Sequence, residues 1–407
     1  MILRLAATLL LSCGLAFGEP VSFTAPQRAQ DFDAMARAVE KDYVYLASRD
    51  GWRRSREAWR KKALAATTPL AFALALEGAL RELRDDHVFL RVQGFTLERR
   101  VPAGTDVWAS WTGSRATIDA VRPSSVADVA GLHPGQQIVS VQGVPVERVV
   151  RELVGGSANP AARDWALRHV MAGPRDGSYF VGVREEGSDA RPRQYEVVRT
   201  AVPEGNGTPL LARKIGEARD IAYIRLRNNL GDEGVVMHFD AALQQMRETR
   251  AMILDLRSTE SGGSEAVVRA ILGRFVEKES PWQVREGRGK ARTTDVVAPR
   301  GPFAFRGPLV VLVDRWTAAE GEALAAGLDA VANATLVGTS MAGLRGVRRE
   351  VTLPQTGWVV AFPAERALHV NGKSRESLRP DVEVDLVHPS GGPGDPILYQ
   401  GLKHLTK

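Results

Sequence analysis

The feature that most limits what this chain can fold into is a rhythm that sets in after Pro203. Strand-like and helix-like segments alternate there: IAYIRL, VMHFDAALQQMRET, AMILDLR and SEAVVRAILGRFV, then PLVVLVD, TAAEGEALAAGLDAVA and ATLVGT. Residues 252–254 and 309–313 are apolar at every position, so strands made of them must be covered on both faces. Runs of that kind, each followed by a helix, predict a parallel sheet layered with helices. Residues 210–390 are therefore expected to form an α/β core. The cluster Gly391-Gly392-Pro393-Gly394 should release a short C-terminal tail over 391–407.

Upstream the texture differs. Between residues 23 and 95, Phe32, Met35, Ala36 and Val39, then Leu76, Ala79, Leu80 and Leu83, recur at spacings of three and four, which predicts an N-terminal helical domain. Residues 100–200 carry short β-branched runs broken by Gly and Pro, with a hairpin expected around Glu186-Gly187-Ser188, and read as a β-rich module. The first eighteen residues combine Arg4, an apolar run and the small residues Ala16 and Gly18, the pattern of a cleaved export signal over 1–18. The single cysteine, Cys13, sits in Leu-Leu-Ser-Cys, which leaves a lipid anchor open as the alternative to simple cleavage. An exported, periplasmic or extracellular location follows in either case.

The formal net charge is +6, but the basic residues are scattered without interleaved aromatics, so nucleic acid is not an expected partner. No stretch after the leader is long enough to span a bilayer. His133, His169, His238, His369, His388 and His404 show no metal-ligand spacing, and no nucleotide or dinucleotide loop is present, so neither a metal nor another cofactor is expected.

In the middle segment, TIDAVRPSSVADVAGLHPGQQIVSVQGVPV has a capping Ser124 or Ser125, a helix end at Gly131, a Pro134-Gly135 turn and a strand over 138–141. It resembles a PDZ domain of the bacterial protease type, which implies a polypeptide ligand captured by its C-terminal end through strand addition. Three segments of the core then resemble the C-terminal-processing (tail-specific) serine peptidases. MILDLRSTESGGS is similar to that family's Leu-Asp-Leu-Arg-x-Asn-x-Gly-Gly loop, with Thr259 in place of the asparagine and Ser261 in place of a glycine. The resemblance makes the N–H of Gly262 or Gly263 an oxyanion donor. LVDRWTAAEGEALAAGL resembles the nucleophile segment, in which Glu320 would supply a second N–H, yet the serine position holds Ala319. VGTSMAGLRGVRREVTLPQTG resembles the strand and loop that bring a lysine base, and the lysine position holds Leu344. Arg345 beside it stays protonated and cannot act as a base.

A related arrangement, that of the tricorn core, uses a histidine early in the chain. LRELRDDHVFL resembles the segment carrying it, making His87 the implied base and Glu376 the implied acidic helper. The stretch Gly338-Thr339-Ser340-Met341-Ala342 copies the nucleophile segment of subtilisin-like proteases, but the aspartate and histidine segments of that group are missing. The resemblance thus implies a multidomain α/β protein: helical domain, PDZ β-module and a ClpP/crotonase-like core. Two readings stay open, a serine-type peptidase impaired by Ala319 and a non-catalytic peptide-binding pseudoprotease.

Overall fold

The structure, a computed structural model, describes residues 23–406 apart from 47–49, 96, 98–100, 157–158, 174–176, 189, 200–208, 228–229, 261 and 391–393. The expected leader, Cys13 and Ser261 lie outside the described residues. The chain opens with helices α1 (Ala25–Asp42), α2 (Asp50–Ala65) and α3 (Pro69–Arg81) and a short strand β1 (Phe89–Arg91). Thr24 caps α1 in a reciprocal capping box with Gln27, and Thr68 caps α3 ahead of Pro69, so both starts are written in the sequence.

The β-rich stretch forms β2 (Val107–Thr112), β3 (Arg115–Val121), α4 (Val126–Val129), β4 (Gln137–Val141), β5 (Val144–Pro145), α5 (Val146–Val154), α6 (Pro160–Ala172), β6 (Gly177–Arg184) and β7 (Arg193–Arg199). Ser125 caps α4, and Gly131 and Gly135 take φ of 96° and 92°, values an L side chain rarely adopts. The sheet runs β2-β3-β4-β6-β7, so β2 and β7 are its edges.

The last part contains β8 (Leu210–Ile215), β9 (Ile221–Leu226), α7 (Gly234–Gln245), β10 (Ala251–Asp255), α8 (Glu265–Leu272), β11 (Ser280–Gly287), β12 (Thr293–Val297), β13 (Leu309–Val313), α9 (Glu320–Ala332), β14 (Thr335–Gly338), β15 (Val347–Thr352), β16 (Val359–Leu368), β17 (Val382–Glu383) and α10 (Pro396–Leu405). A six-stranded sheet, β17-β14-β13-β10-β9-β8, is parallel from β17 to β9, with β8 antiparallel at the edge. Met252 and Leu254 face one core with Phe239, Ile271 and Leu324, while Ala251 and Ile253 face the other with Ile397 and Leu402. The two-sided coverage demanded by the apolar runs is met by α7, α8 and α9 on one face and α10 on the other. The segment expected as a tail therefore holds a docked helix, capped by Asp395 ahead of Pro396.

A second sheet, β1-β16-β11-β12 with β15 on the far side of β16, joins the two ends of the chain. Phe32, Phe72 and Leu76 of the N-terminal helices share one core with Trp358, Val360 and Phe362. That packing carries the segment after α3, including His87, across to the loops that follow β14. Among the described residues no helix is long and apolar enough to cross a membrane.

Candidate active site

Two strand ends frame the site. β10 delivers Asp255, fully buried, whose carboxylate accepts from the Tyr223 hydroxyl at 2.7 Å and from the Arg257 guanidinium at 2.9 and 2.7 Å. Arg257 also donates twice to Asp395, each bond 2.7 Å long, and so fastens the β10 end to the start of α10. The following turn places Ser258 and Gly262 at positive φ, 63° and 80°. β13 leads into Asp314, whose Oδ1 accepts from the Trp316 N–H at 2.9 Å and turns the chain toward α9.

Ala319 stands at the junction, just before α9, with φ 50° and ψ −108°. A non-glycine residue rarely occupies this region, and such strain persists only where the surroundings over-determine it. Glu322 supplies the constraint. Its fully buried carboxylate accepts from the N–H groups of Ala319 at 3.0 Å, Gly343 at 2.8 Å and Leu344 at 3.1 Å. Burial pushes this carboxyl up to about 7, against the pull of Arg375 and those N–H donors. One carboxylate thereby binds position 319 to position 344, and Ala318, Ala319 and Leu344 form a single buried apolar cluster. A Cβ at Gly321 would stand 2.2 Å from Thr259 Oγ1, so glycine is needed where the two loops cross.

Beside Ala319 lies a cavity of about 160 Å³ whose lining includes His87, Glu320, Arg348 and Arg375, and among the described residues none of its lining carries a hydroxyl, thiol or amine. The nearby hydroxyls of Thr259 and Thr317 both donate to the Leu256 carbonyl, at 2.7 and 3.2 Å. Ser340 is buried and does not line this cavity.

His87 is 4% exposed, and its Nδ1 lies 2.6 Å from the Arg345 carbonyl oxygen. A carbonyl only accepts, so Nδ1 carries the proton and Nε2 is the basic nitrogen. Burial, helped by Arg348 and Arg375, pushes this imidazole down to about 4, so it is neutral at pH 7. Glu376 accepts from the Tyr45 hydroxyl at 3.3 Å, and no hydrogen bond joins it to His87 among the described residues. Burial and the Glu376 charge hold the Tyr45 hydroxyl well above the usual phenol range.

The implied oxyanion donors face an unexpected neighbour. A Cβ at Gly262 would meet Glu320 Oε2 at 3.3 Å and Arg348 Nη1 at 3.5 Å. Glu320 Oε2 is buried without a hydrogen-bond partner among the described residues. The Glu320 carboxylate opposes the gathering of negative charge there, while the Arg348 guanidinium at a similar distance favours it. Gly263 is set by packing instead, since its Cβ would fall 2.8 Å from the Leu230 backbone. The sequence named Glu320 for its N–H alone; its side chain, Arg348, Arg375 and the bridging role of Glu322 become visible only when the loops meet. Among the described residues no cluster of three or more His, Cys, Asp or Glu could hold a metal ion.

With this geometry in view, comparison with known proteins is direct. Residues 220–384 match the model of peptidase family S41. Over 226 residues, 54% of this chain, the sequence is 28% identical to a carboxyl-terminal-processing protease of Synechocystis sp. and spans 47% of that protein, so the chain matches about half the length of this curated relative. The photosystem II D1 C-terminal processing protease superposes with a TM-score of 0.58 at 19% identity, over 88% of this chain and 93% of that one. Mature CPAF gives a TM-score of 0.58 at 14% identity, over 94% and 95%. The structures share the fold. The family match and the curated relative are similarities to the C-terminal-processing, tail-specific serine peptidases.

Proposed function

We propose that this chain is a member of that family that holds extended polypeptide in the cleft beside α9 without serine-type hydrolysis. The observation that carries the reading is the shared buried apolar cluster of Ala318, Ala319 and Leu344 at a strained helix start, next to a cavity whose lining among the described residues offers no nucleophile. A methyl group cannot attack a carbonyl, and an isobutyl group cannot take a proton. His87 keeps a neutral, basic Nε2 toward this region, yet has no hydroxyl to act on. In this reading Gly262, Gly263 and Glu320 are what remains of an oxyanion site, blunted by the Glu320 carboxylate.

The β-rich module is proposed to be PDZ-like, and the leader over 1–18 to direct export, so that the ligand is an exported polypeptide. The core is proposed to be of the ClpP/crotonase-like type. A direct test incubates the chain with an unfolded reporter polypeptide, then separates bound from free material and weighs both by mass spectrometry. Retained, intact reporter is the expected result. Cleavage fragments, or a reporter that is never retained, would overturn the proposal.

A further inference from the structure

The cavity at Ala319 does not end there. A second hollow of about 260 Å³ adjoins it, and the two share Val347 and Arg348 of β15. Three elements meet around this second hollow: the C-terminal turn of α1 with Lys41, the β11–β12 turn with Arg288 and Lys290, and β15 with Arg348 and Arg349. Five cationic side chains line it against two carboxylates, Asp42 and Glu365. Both carboxylates are engaged, Asp42 with Arg349 at 2.6 Å and Glu365 with Arg285 at 3.5 Å. Arg288 donates to the Glu40 carbonyl at 2.9 Å, which leaves its charge uncompensated, and Lys41 and Lys290 have no carboxylate within 4.0 Å among the described residues.

The backbone beside this charge is also open. β15 pairs with β16 on one side, and among the described residues no strand pairs with its other edge. An open edge accepts an extended peptide through main-chain hydrogen bonds, while side-chain surroundings set which peptide fits. Resting on the reading of the cleft as a polypeptide site, we propose that its ligand is an extended peptide with acidic side chains beside the segment seated at Ala319, the acids lying against Lys41, Arg288 and Lys290. Unpaired cations at a concave surface attract such a chain and select its register, because an acidic stretch shifted out of the second hollow loses the complementary charges.

Full-length protein titrated by fluorescence anisotropy with labelled, unstructured peptides of one apolar sequence, in which the same positions carry Asp, Ser or Lys, tests the proposal. The Asp peptide is expected to bind about tenfold more tightly than the Ser peptide, and the Lys peptide more weakly still. The advantage should vanish near 1 M salt, where screening acts within about 3 Å. The double variant Lys41→Glu, Lys290→Glu should invert the order, with the Ser peptide unchanged as a control for folding. Equal binding of all peptides would leave the polypeptide cleft standing and overturn the acidic preference. Absence of binding by every peptide would overturn the cleft reading and this proposal with it.

Discussion

The cleft at α9 and β2, one of the two edge strands of the module proposed to be PDZ-like, differ in what they offer a polypeptide. In the proposed reading the cleft has a hydrogen-bonded frame without reactive atoms. Ala319 sits in a strained turn and Glu322 accepts three N–H bonds, while Ala319 and Leu344 place hydrocarbon at the positions proposed as reactive. At β2 one main-chain donor is already taken. The Trp111 N–H donates to Asp164 of α6 at 2.9 Å, and the Arg163 guanidinium lies 4.1 Å from the centre of the Trp111 ring. A frame held by buried hydrogen bonds resists change because each unpaired group costs about 1–3 kcal/mol.

The largest effect that would sharpen this contrast is a return of chemistry to an intact frame. Ala319→Ser with Leu344→Lys places a hydroxyl and a buried amine at positions that share one apolar cluster and the Glu322 carboxylate, and desolvation lowers the lysine toward a neutral base. Turnover of an unfolded reporter should rise on the order of 10³-fold over the parent, with Ala319→Ser alone giving far less. Equal activity of the single and double variants would move the base to His87. No gain from the double variant would show that the frame has decayed as well.

Next in size is the frame itself. Arg257→Met leaves Asp255 buried with the Tyr223 hydroxyl and no cation in hydrogen-bond contact, and should cost about 3–5 kcal/mol in urea unfolding. A loss below about 1 kcal/mol would mean that the ion pair does not hold the loop.

These two regions also differ in how much could be read in advance. The parallel core was legible because residues 309–313 are apolar at every position, which only a doubly covered strand tolerates. Ala319 and Leu344 were singled out because each falls at a fixed offset within a motif, and the structure brings them into one apolar cluster. The Glu322 bridge was not, since it joins backbone atoms of Ala319, Gly343 and Leu344 from two distant segments. The partner of His87 is a main-chain carbonyl, which leaves no trace in side-chain identity. Helix α10 carries Ile397, Leu398, Leu402 and Leu405 at helical spacing, but its short span after a glycine cluster reads as a tail.

Acidity separates the groups within the cleft. Because folding lowers His87 from 6.5 to about 4, stability is lost as pH falls through that window, on the order of 3 kcal/mol in full. Glu322 works in the opposite sense. Its carboxyl rises from 4.5 to about 7, so its contribution is present at low pH and is lost as pH rises through about 7. The two slopes offset in the parent. His87→Gln should therefore steepen the loss of stability between about pH 5 and 7, measured as urea midpoints across pH. An unchanged profile would mean that His87 is solvated and titrates normally.

The smallest effect belongs to the module. Asp164→Ala frees the Trp111 N–H and should cost about 1 kcal/mol in stability while raising the affinity of the chain for free C-terminal peptides. Unchanged affinity, equal for free and amidated ends, would make the module a structural element.

Labelling of the unmodified chain with a fluorophosphonate probe, followed by intact-mass measurement and peptide mapping, tests the central claim most directly. The parent chain should give no adduct, and the Ala319→Ser, Leu344→Lys variant an adduct at position 319. An adduct on the parent at Ser340 or Ser261, accompanied by reporter cleavage that Ser340→Ala or Ser261→Ala abolishes, would contradict the assignment of Ala319 and restore the chain to the active peptidases.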